Sequence, residues 1–176
     1  MSGLPRDRLG LDGFTRLSDR QQMNVLFGVC SSTIWARRVL AGAPFRDVDA
    51  LLDRADRVLA ELPDAEIDAA LDGHPRIGAK VDNASSAREQ AAVTTAGDSV
   101  KAELAAKNAE YDDKFGYVYL VCASGRSAEE LLAILTERLH NDPATERRVM
   151  RSELAKINRL RLERLLSEPS ADAEAR

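Results

Sequence analysis

The sequence has few of the residues that build metal sites, disulfides and tight turns. Its 176 residues include two histidines, two cysteines, ten glycines and six prolines. Cys30 and Cys122 lie in apolar runs, and neither has a C-x-x-C partner, which is typical of buried free thiols in a reducing compartment. His74 and His140 have no second ligand at metal spacing, so we expect no zinc site. The low glycine and proline content argues against an all-β fold, which needs many turns.

Other absences exclude further classes of protein. No run approaches the roughly 20 apolar residues of a membrane span, and residues 1–11 lack the apolar stretch of a signal peptide. The net charge of −4 argues against nucleic acid as the main partner. Dinucleotide-binding, P-loop and serine-hydrolase motifs are missing. With 44% apolar and 31% charged residues, the chain is predicted to be one globular, cytoplasmic domain without a membrane partner.

Most of the sequence has the periodicity of amphipathic helices, which predicts an all-α, single-domain multi-helix bundle. Ser18-x-x-Gln21 and Ser127-x-x-Glu130 are capping boxes. Residues 117–122 (YVYLVC) break the pattern and predict either an extended segment or the start of a buried helix. Further helices are expected over 34–42, from a cap at Asp47 to Pro63, over 64–71 and 98–114, and from Asp142-Pro143 to about Leu166.

The first candidate for chemistry is the segment from Asp72 to Gly78. Pro75 restrains His74 to non-helical backbone, and glycines flank the turn on both sides. A histidine held in a stiff loop suits general acid–base catalysis near neutral pH. On this segment alone, a surface-loop histidine without a function is the favoured interpretation.

The second candidate is Ser86-x-x-Glu89, which has the spacing of an ordinary capping box. A helix that begins here would also offer free backbone N–H groups to an anionic ligand. The side chains of Ser86, Glu89 and Gln90 would then add contacts to that ligand. The two interpretations are compatible.

The third candidate is Arg161 on the last helix. Met150, Leu154, Ile157 and Leu165 mark an apolar face, and Arg161 lies four residues from each of its two neighbours on that face. Because burying an unpaired charge is costly, the arginine needs a carboxylate from an internal acid or from a substrate. The alternative is that its side chain reaches solvent at the edge of the face.

Several motifs in order resemble those of the 2-oxo-4-hydroxy-4-carboxy-5-ureidoimidazoline (OHCU) decarboxylase family. The resemblance runs from about Phe14 to Leu166 without a missing block. It rests on HPRIG at 74–78, S-x-x-E-Q at 86–90, N-x-x-Y-x-x-K-F-G at 108–116, VCASGRSAEELL at 121–132, RLHNDP at 138–143 and EL-x-KI-x-x-LRL at 153–162.

The resemblance implies an all-α homodimer that uses no metal or organic cofactor. It also implies a carboxy-lyase that decarboxylates OHCU to (S)-allantoin in urate degradation, with protonation on one face. The domain would cover residues 14–166, between an N-terminal lead (1–13) and a flexible tail (167–176). His74 takes the role of the catalytic histidine and Glu89 that of its partner acid. The implied substrate-binding residues are Pro75, Ser86, Gln90, Val121, Cys122, Ala123 and Arg161.

Two positions depart from the pattern of many family members. Ser85 stands where an aromatic residue is common, and Tyr117-Val118-Tyr119 replaces F-P-F. Two alternative functions stay open at this point. One is a non-catalytic helical binding module, which would need none of His74, Glu89 and Arg161. The other is an enzyme that acts on a related ureide or imidazoline.

Overall fold

The protein is all-α, as the sequence predicts. The computed structural model describes residues 8–78 and 84–169, and these contain ten α-helices and no β-strand. Within this part of the chain, each helix is too short or too polar to span a bilayer. The helices are α1 (Gly10–Thr15), α2 (Asp19–Cys30), α3 (Thr33–Leu40), α4 (Val48–Ala60), α5 (Asp64–Leu71), α6 (Ala84–Glu89), α7 (Ala91–Thr94), α8 (Asp98–Phe115), α9 (Ala128–Arg138) and α10 (Pro143–Leu165).

The predicted caps set the start of α2, α4 and α9. Ser18 and Gln21 form a reciprocal capping box at α2, and Ser127 and Glu130 form another at α9. At α4, Asp47 Oδ1 accepts the Ala50 N–H at 2.8 Å. Each cap supplies an acceptor for an amide that the first helical turn leaves without a partner. Local side-chain chemistry was therefore sufficient to predict these boundaries.

Helices α1 and α7 were not predicted, and α6 begins at Ala84, ahead of the cap predicted at Ser86. They have four to six residues each, which is too short to show a helical period in the sequence. The predicted tail begins at Ser167, whose carbonyl accepts the Gly10 N–H at 3.0 Å. Residues 170–176 of that tail and residues 1–7 of the predicted lead lie outside the described part of the chain.

The chain divides into two compact units, and the first consists of the described residues within Met1–Ala70 and Asn158–Arg176. In its core, α3 packs against α2 and α4. Trp35 is fully buried there, and its indole N–H donates to the Ala55 carbonyl at 3.2 Å. Ser31, in the left-handed conformation with φ 53°, ends α2 and allows Ser32 to cap α3. The two adjacent serines therefore set the turn between these helices.

The second unit, the described residues within Leu71–Ile157, is built around α8 and α9. Its apolar core surrounds a buried ion pair between Arg138 and Glu146, which are 5% and 0% exposed. Arg138 Nε donates to Glu146 Oε1 at 2.7 Å, and the Tyr111 hydroxyl donates to the same oxygen. Asn141 Nδ2 donates to Glu146 Oε2 at 3.0 Å. Both carboxylate oxygens therefore have donors, which a buried charge requires.

Residues 117–123 adopt neither helix nor strand. The predicted extended alternative is therefore favoured over a buried helix. Gly116, at φ 78°, ends α8 in the left-handed region. Tyr117 and Tyr119 pack in the core of the second unit, where their rings lie 5.9 and 5.4 Å from that of Tyr111. The aromatic residues that depart from the family pattern thus help to anchor the start of this segment.

We expect the Arg138–Glu146 pair to be a main determinant of stability. Glu146→Gln or Arg138→Met leaves one buried group without its partner, which costs about 3–5 kcal/mol and lowers Tm by roughly 10 °C or more. Arg159→Met is the matched control, because Arg159 pairs with Asp56 at 2.6 Å near the surface and such pairs contribute at most about 1 kcal/mol. The Tm of all three variants is measured by thermal unfolding.

The double variant Arg138→Met/Glu146→Leu removes both charges together. We expect it to be more stable than either single variant, because neither charge is left alone. Single variants that melt at the same temperature as Arg159→Met would contradict the role given to this pair.

Candidate active site

His74 lies in the loop that follows α5, as the sequence predicts, and it is only 8% exposed. Its backbone N–H donates to the carbonyl of Leu71, the last residue of α5, at 2.9 Å. His74 therefore lies in the turn that ends this helix. Pro75 follows directly and excludes helical backbone at His74. The interpretation as a plain surface-loop histidine loses its main support, because the residue is buried.

Two side chains from neighbouring helices hold the far end of this loop. Asn108, on α8, donates from Nδ2 to the Ile77 carbonyl at 3.0 Å. Gln90, between α6 and α7, accepts the Gly78 N–H on Oε1 at 2.9 Å. Gly78 has φ +85°, a conformation that favours glycine. The loop that carries His74 is therefore fixed by both neighbours.

Gln90 consequently presents its amide nitrogen, because its oxygen is already bound to Gly78. Nε2 has no hydrogen-bond partner among the described residues. Gln90 as a whole is buried, but Nε2 is not among the fully buried atoms without a partner, so a ligand can reach it. The side chain thus offers two N–H donors to a ligand that carries an acceptor.

The predicted capping box at Ser86 is wrong. Helix α6 begins at Ala84, so Ser86 lies inside it and Glu89 is its last residue. Ser-x-x-Glu has the same spacing as two neighbours on one helix face, and this explains the misassignment. The helix begins two residues earlier, so Ser86 lies in its first turn, and the anion site at this N-terminus stays a prediction. Ser86 is buried and Glu89 is half-buried, and both have partners within the protein.

Residues Val121, Cys122 and Ala123 form a buried segment with unequal hydrogen bonding. The Cys122 N–H donates to Glu153 Oε2, on α10, at 2.8 Å. The N–H groups of Val121 and Ala123 have no partner among the described residues. One residue earlier, the Leu120 carbonyl accepts Arg138 NH1 at 2.7 Å. Glu153 and Arg138 hold the segment, and the amides on either side of Cys122 stay without a partner among the described residues.

Glu153 and Asn108 are the contributors that sequence reasoning did not assign. Both lie in quoted motifs, but nothing in their local sequence names a partner 31 residues away. For Glu153 the available signal was an acid at a buried position of α10, beside Met150, Leu154 and Ile157.

Arg161 belongs to the first unit, whereas the other predicted site residues belong to the second. It is half-buried, and NH1 donates to the Val29 carbonyl at 2.9 Å. Its neighbours Asn158 and Leu162 are buried, so Arg161 lies at the border of the apolar face. Part of its guanidinium is therefore used to hold the end of α2.

The two thiols are poor nucleophiles in this structure. Burial raises the pKa of Cys30 to about 11, against the smaller opposing effects of the Asn158 hydrogen bond and the Arg161 charge. Burial and, next, the negative charge of Glu153 raise the pKa of Cys122. Since the thiolate is the reactive form, neither thiol supplies a nucleophile at neutral pH. Cofactor independence stays a prediction, and no three candidate metal ligands cluster within the described residues.

Comparison with known proteins identifies the family of the chain. The sequence model of the OHCU decarboxylase family matches residues 15–163. The chain is 38% identical over 84 residues to the uric acid degradation bifunctional protein of Arabidopsis thaliana, covering 48% of this chain and 26% of that protein. It is 41% identical over 63 residues to the 2-oxo-4-hydroxy-4-carboxy-5-ureidoimidazoline decarboxylase of Amia calva, covering 36% of each. The matched segments thus span about a quarter and about a third of these curated relatives.

Solved structures give the same result. An OHCU decarboxylase crystallised in the presence of (S)-allantoin superposes with a TM-score of 0.73 and 29% identity, over 81% of this chain and 96% of that chain. An (S)-allantoin synthase superposes with a TM-score of 0.71 over 89% of this chain and 54% of that chain; at 15% identity, it supports the fold alone. Because the family match covers most of the sequence, from the last residue of α1 to two residues before the end of α10, this chain belongs to the OHCU decarboxylase family.

Proposed function

We propose that this protein decarboxylates OHCU to (S)-allantoin in urate degradation. Family membership over residues 15–163 supports the reaction class. The observation that carries the proposal is the buried His74, in a loop that Gln90 and Asn108 hold in place. A binding module would not require a buried histidine fixed in this way.

The reaction places three demands on the protein. The bond between the ring carbon and its carboxylate breaks, CO2 leaves, and the electron pair stays on the substrate, where the ring delocalises it. One proton then adds to that carbon from a single face. The protein must therefore bind the substrate's oxygens, exclude water and deliver the proton.

His74 is the proposed proton donor, because it is the one buried histidine of the chain and its ring titrates near neutral pH in model compounds. Glu89 is the proposed partner that orients the imidazole and the substrate. Pro75 fixes the loop and lines the site beside His74. Burial of the loop and of Ser86 would keep bulk water from the carbanion.

The proposed binding groups are mainly hydrogen-bond donors. Gln90 Nε2 and the N–H groups of Val121 and Ala123 would donate to substrate carbonyl and carboxylate oxygens, with Ser86 as a further contact and Cys122 as the fixed residue between the two amides. Arg161 would bind a carboxylate or the ureido group through its two parallel N–H donors.

We expect purified, EDTA-treated protein to convert freshly generated OHCU into (S)-allantoin faster than the spontaneous decay, which circular dichroism of the product measures. The family resemblance and the scarcity of histidine and paired cysteine underlie the metal-free condition. Racemic product at the spontaneous rate, before and after metal is added back, would refute the proposed function. Activity that returns only with an added divalent ion would refute cofactor independence alone.

His74→Asn is expected to abolish enantioselective product formation while the fold is retained. General acid–base catalysis contributes on the order of 10²–10⁴-fold, so the loss of rate will be evident in the same assay. His140→Ala is the matched control, since His140 is exposed and contacts only the Thr136 carbonyl through Nδ1. Wild-type rate and handedness in folded His74→Asn would remove His74 from the mechanism.

Arg161→Lys tests substrate binding against a structural role. Lysine keeps the charge but loses the planar pair of donors. If Arg161 binds substrate, turnover falls sharply while Tm changes little, since one acceptor that it leaves is the neutral Val29 carbonyl. Arg161→Met and the surface control Arg159→Met are measured beside it, by turnover and thermal unfolding. Activity lost only in proportion to unfolded protein would assign Arg161 to stability instead.

We also propose that the protein is a homodimer in the cytoplasm. Two buried, unpaired cysteines support a reducing compartment. Phe27 and Leu160, 47% and 44% exposed, are the large apolar side chains that the described surface leaves open to a partner. Sedimentation velocity of the purified chain distinguishes a dimer from a monomer.

A further inference from the structure

Glu153 is a buried acid for which the proposed proton transfer has no use. Its carboxylate has two different partners on its two oxygens. Oε2 accepts the backbone N–H of Cys122 at 2.8 Å, and Oε1 accepts Lys156 Nζ at 2.6 Å. Burial works to raise the pKa of Glu153, but these hydrogen bonds and the charges of Lys156 and Arg138 outweigh it, so the pKa is lowered. The group is therefore an anion at neutral pH, anchored to α10.

The amide that Glu153 holds lies between those of Val121 and Ala123, which are two of the N–H groups in this segment without a partner among the described residues. Residues 121–123 are neither helical nor part of a strand, and in an extended chain successive peptide groups face opposite sides. In that conformation, a bond that holds the Cys122 N–H towards α10 turns its two neighbours away from α10. Arg138, bound to the Leu120 carbonyl, fixes the same segment one peptide group earlier.

We infer that Glu153 is a positioning residue, which aims the Val121 and Ala123 amides at the substrate by holding the Cys122 amide between them. The inference rests on the proposed function, because it assigns those two amides to OHCU. Without the carboxylate, the buried Cys122 N–H has no acceptor, and leaving it so is costly. The segment then rotates until the Cys122 N–H meets another acceptor. This rotation moves the Val121 and Ala123 amides out of alignment with the substrate.

Glu153→Ala is expected to raise the KM for OHCU at least about tenfold, the effect of one or two lost hydrogen bonds to a charged ligand, and to change kcat less than about threefold. Glu153→Gln restores a KM within about threefold of wild type. The single carboxamide oxygen of this glutamine accepts the buried Cys122 N–H, because the half-exposed Lys156 can be solvated by water instead. Glu163→Ala, on the same helix but paired with Arg159, is the control and leaves both constants unchanged.

A purely structural role of Glu153 predicts different changes in kcat and KM. Partial unfolding lowers the concentration of active protein, so the apparent kcat falls while KM is unchanged. That result, or a KM in Glu153→Gln as poor as in Glu153→Ala, would overturn the positioning role. If Glu153→Ala does not fold, Glu153→Asp replaces it, since aspartate keeps the charge but falls one methylene short of the amide. KM is again expected to rise, and an unchanged KM would refute the role.

The two proposals fail in distinguishable ways. Wild-type turnover of OHCU with an unchanged KM in folded Glu153 variants refutes the positioning role and leaves the proposed function standing. Wild-type protein that does not turn over OHCU refutes the proposed function, and the assignment of Glu153 with it.

Discussion

The buried Arg138–Glu146 ion pair is the interaction on which the second unit depends. Two charges removed from water are stable only if every donor and acceptor around them is satisfied. Here that requirement joins four separate parts of the chain: Tyr111 from α8, Arg138 from α9, Glu146 from α10, and the Leu120 carbonyl from the segment after α8. An arginine placed to neutralise a buried acid thus also fixes the backbone from which the two candidate binding amides project.

Helix α8 makes hydrogen bonds to the loop of His74, to the ion pair and to the end of α9. Asn108, Tyr111 and Lys114 are three residues apart and share one face. Asn108 binds the loop of His74 through the Ile77 carbonyl, Tyr111 binds Glu146, and Lys114 donates to the Leu139 carbonyl at the end of α9. The N-x-x-Y-x-x-K motif is therefore explained by three long-range hydrogen bonds, none of which needs to touch a substrate.

Whether a residue's structural role could be predicted from the sequence depends on how far along the chain its hydrogen-bond partner lies. Ser18, Asp47 and Ser127 bind amides three residues ahead, so their helices could be predicted from local spacing. Ser86 shows the limit of that approach, because a capping box and a helix face have the same spacing. Glu153 and Asn108 could not be assigned at all: their partners are 31 residues distant, and only the packed fold brings them together. The loop position of His74 was predictable from Pro75, but its burial depends on tertiary structure.

The described part of the second unit leaves several groups without partners, among them Asn108 Oδ1, Asp112 Oδ1 and the Tyr117 hydroxyl, and three further ones belong to the predicted site residues. Gln90 Nε2 and the N–H groups of Val121 and Ala123 are all neutral donors. In the proposed reaction, negative charge moves away from the departing carboxylate and into the ring and its carbonyl oxygens. A cation bound only to the carboxylate would stabilise the starting state most, and would slow its loss as CO2. Neutral donors aimed at ring carbonyls instead bind more strongly as the charge arrives there, so they stabilise the transition state more than the substrate. Neutral donors among the predicted site residues thus suit the movement of charge in the proposed decarboxylation.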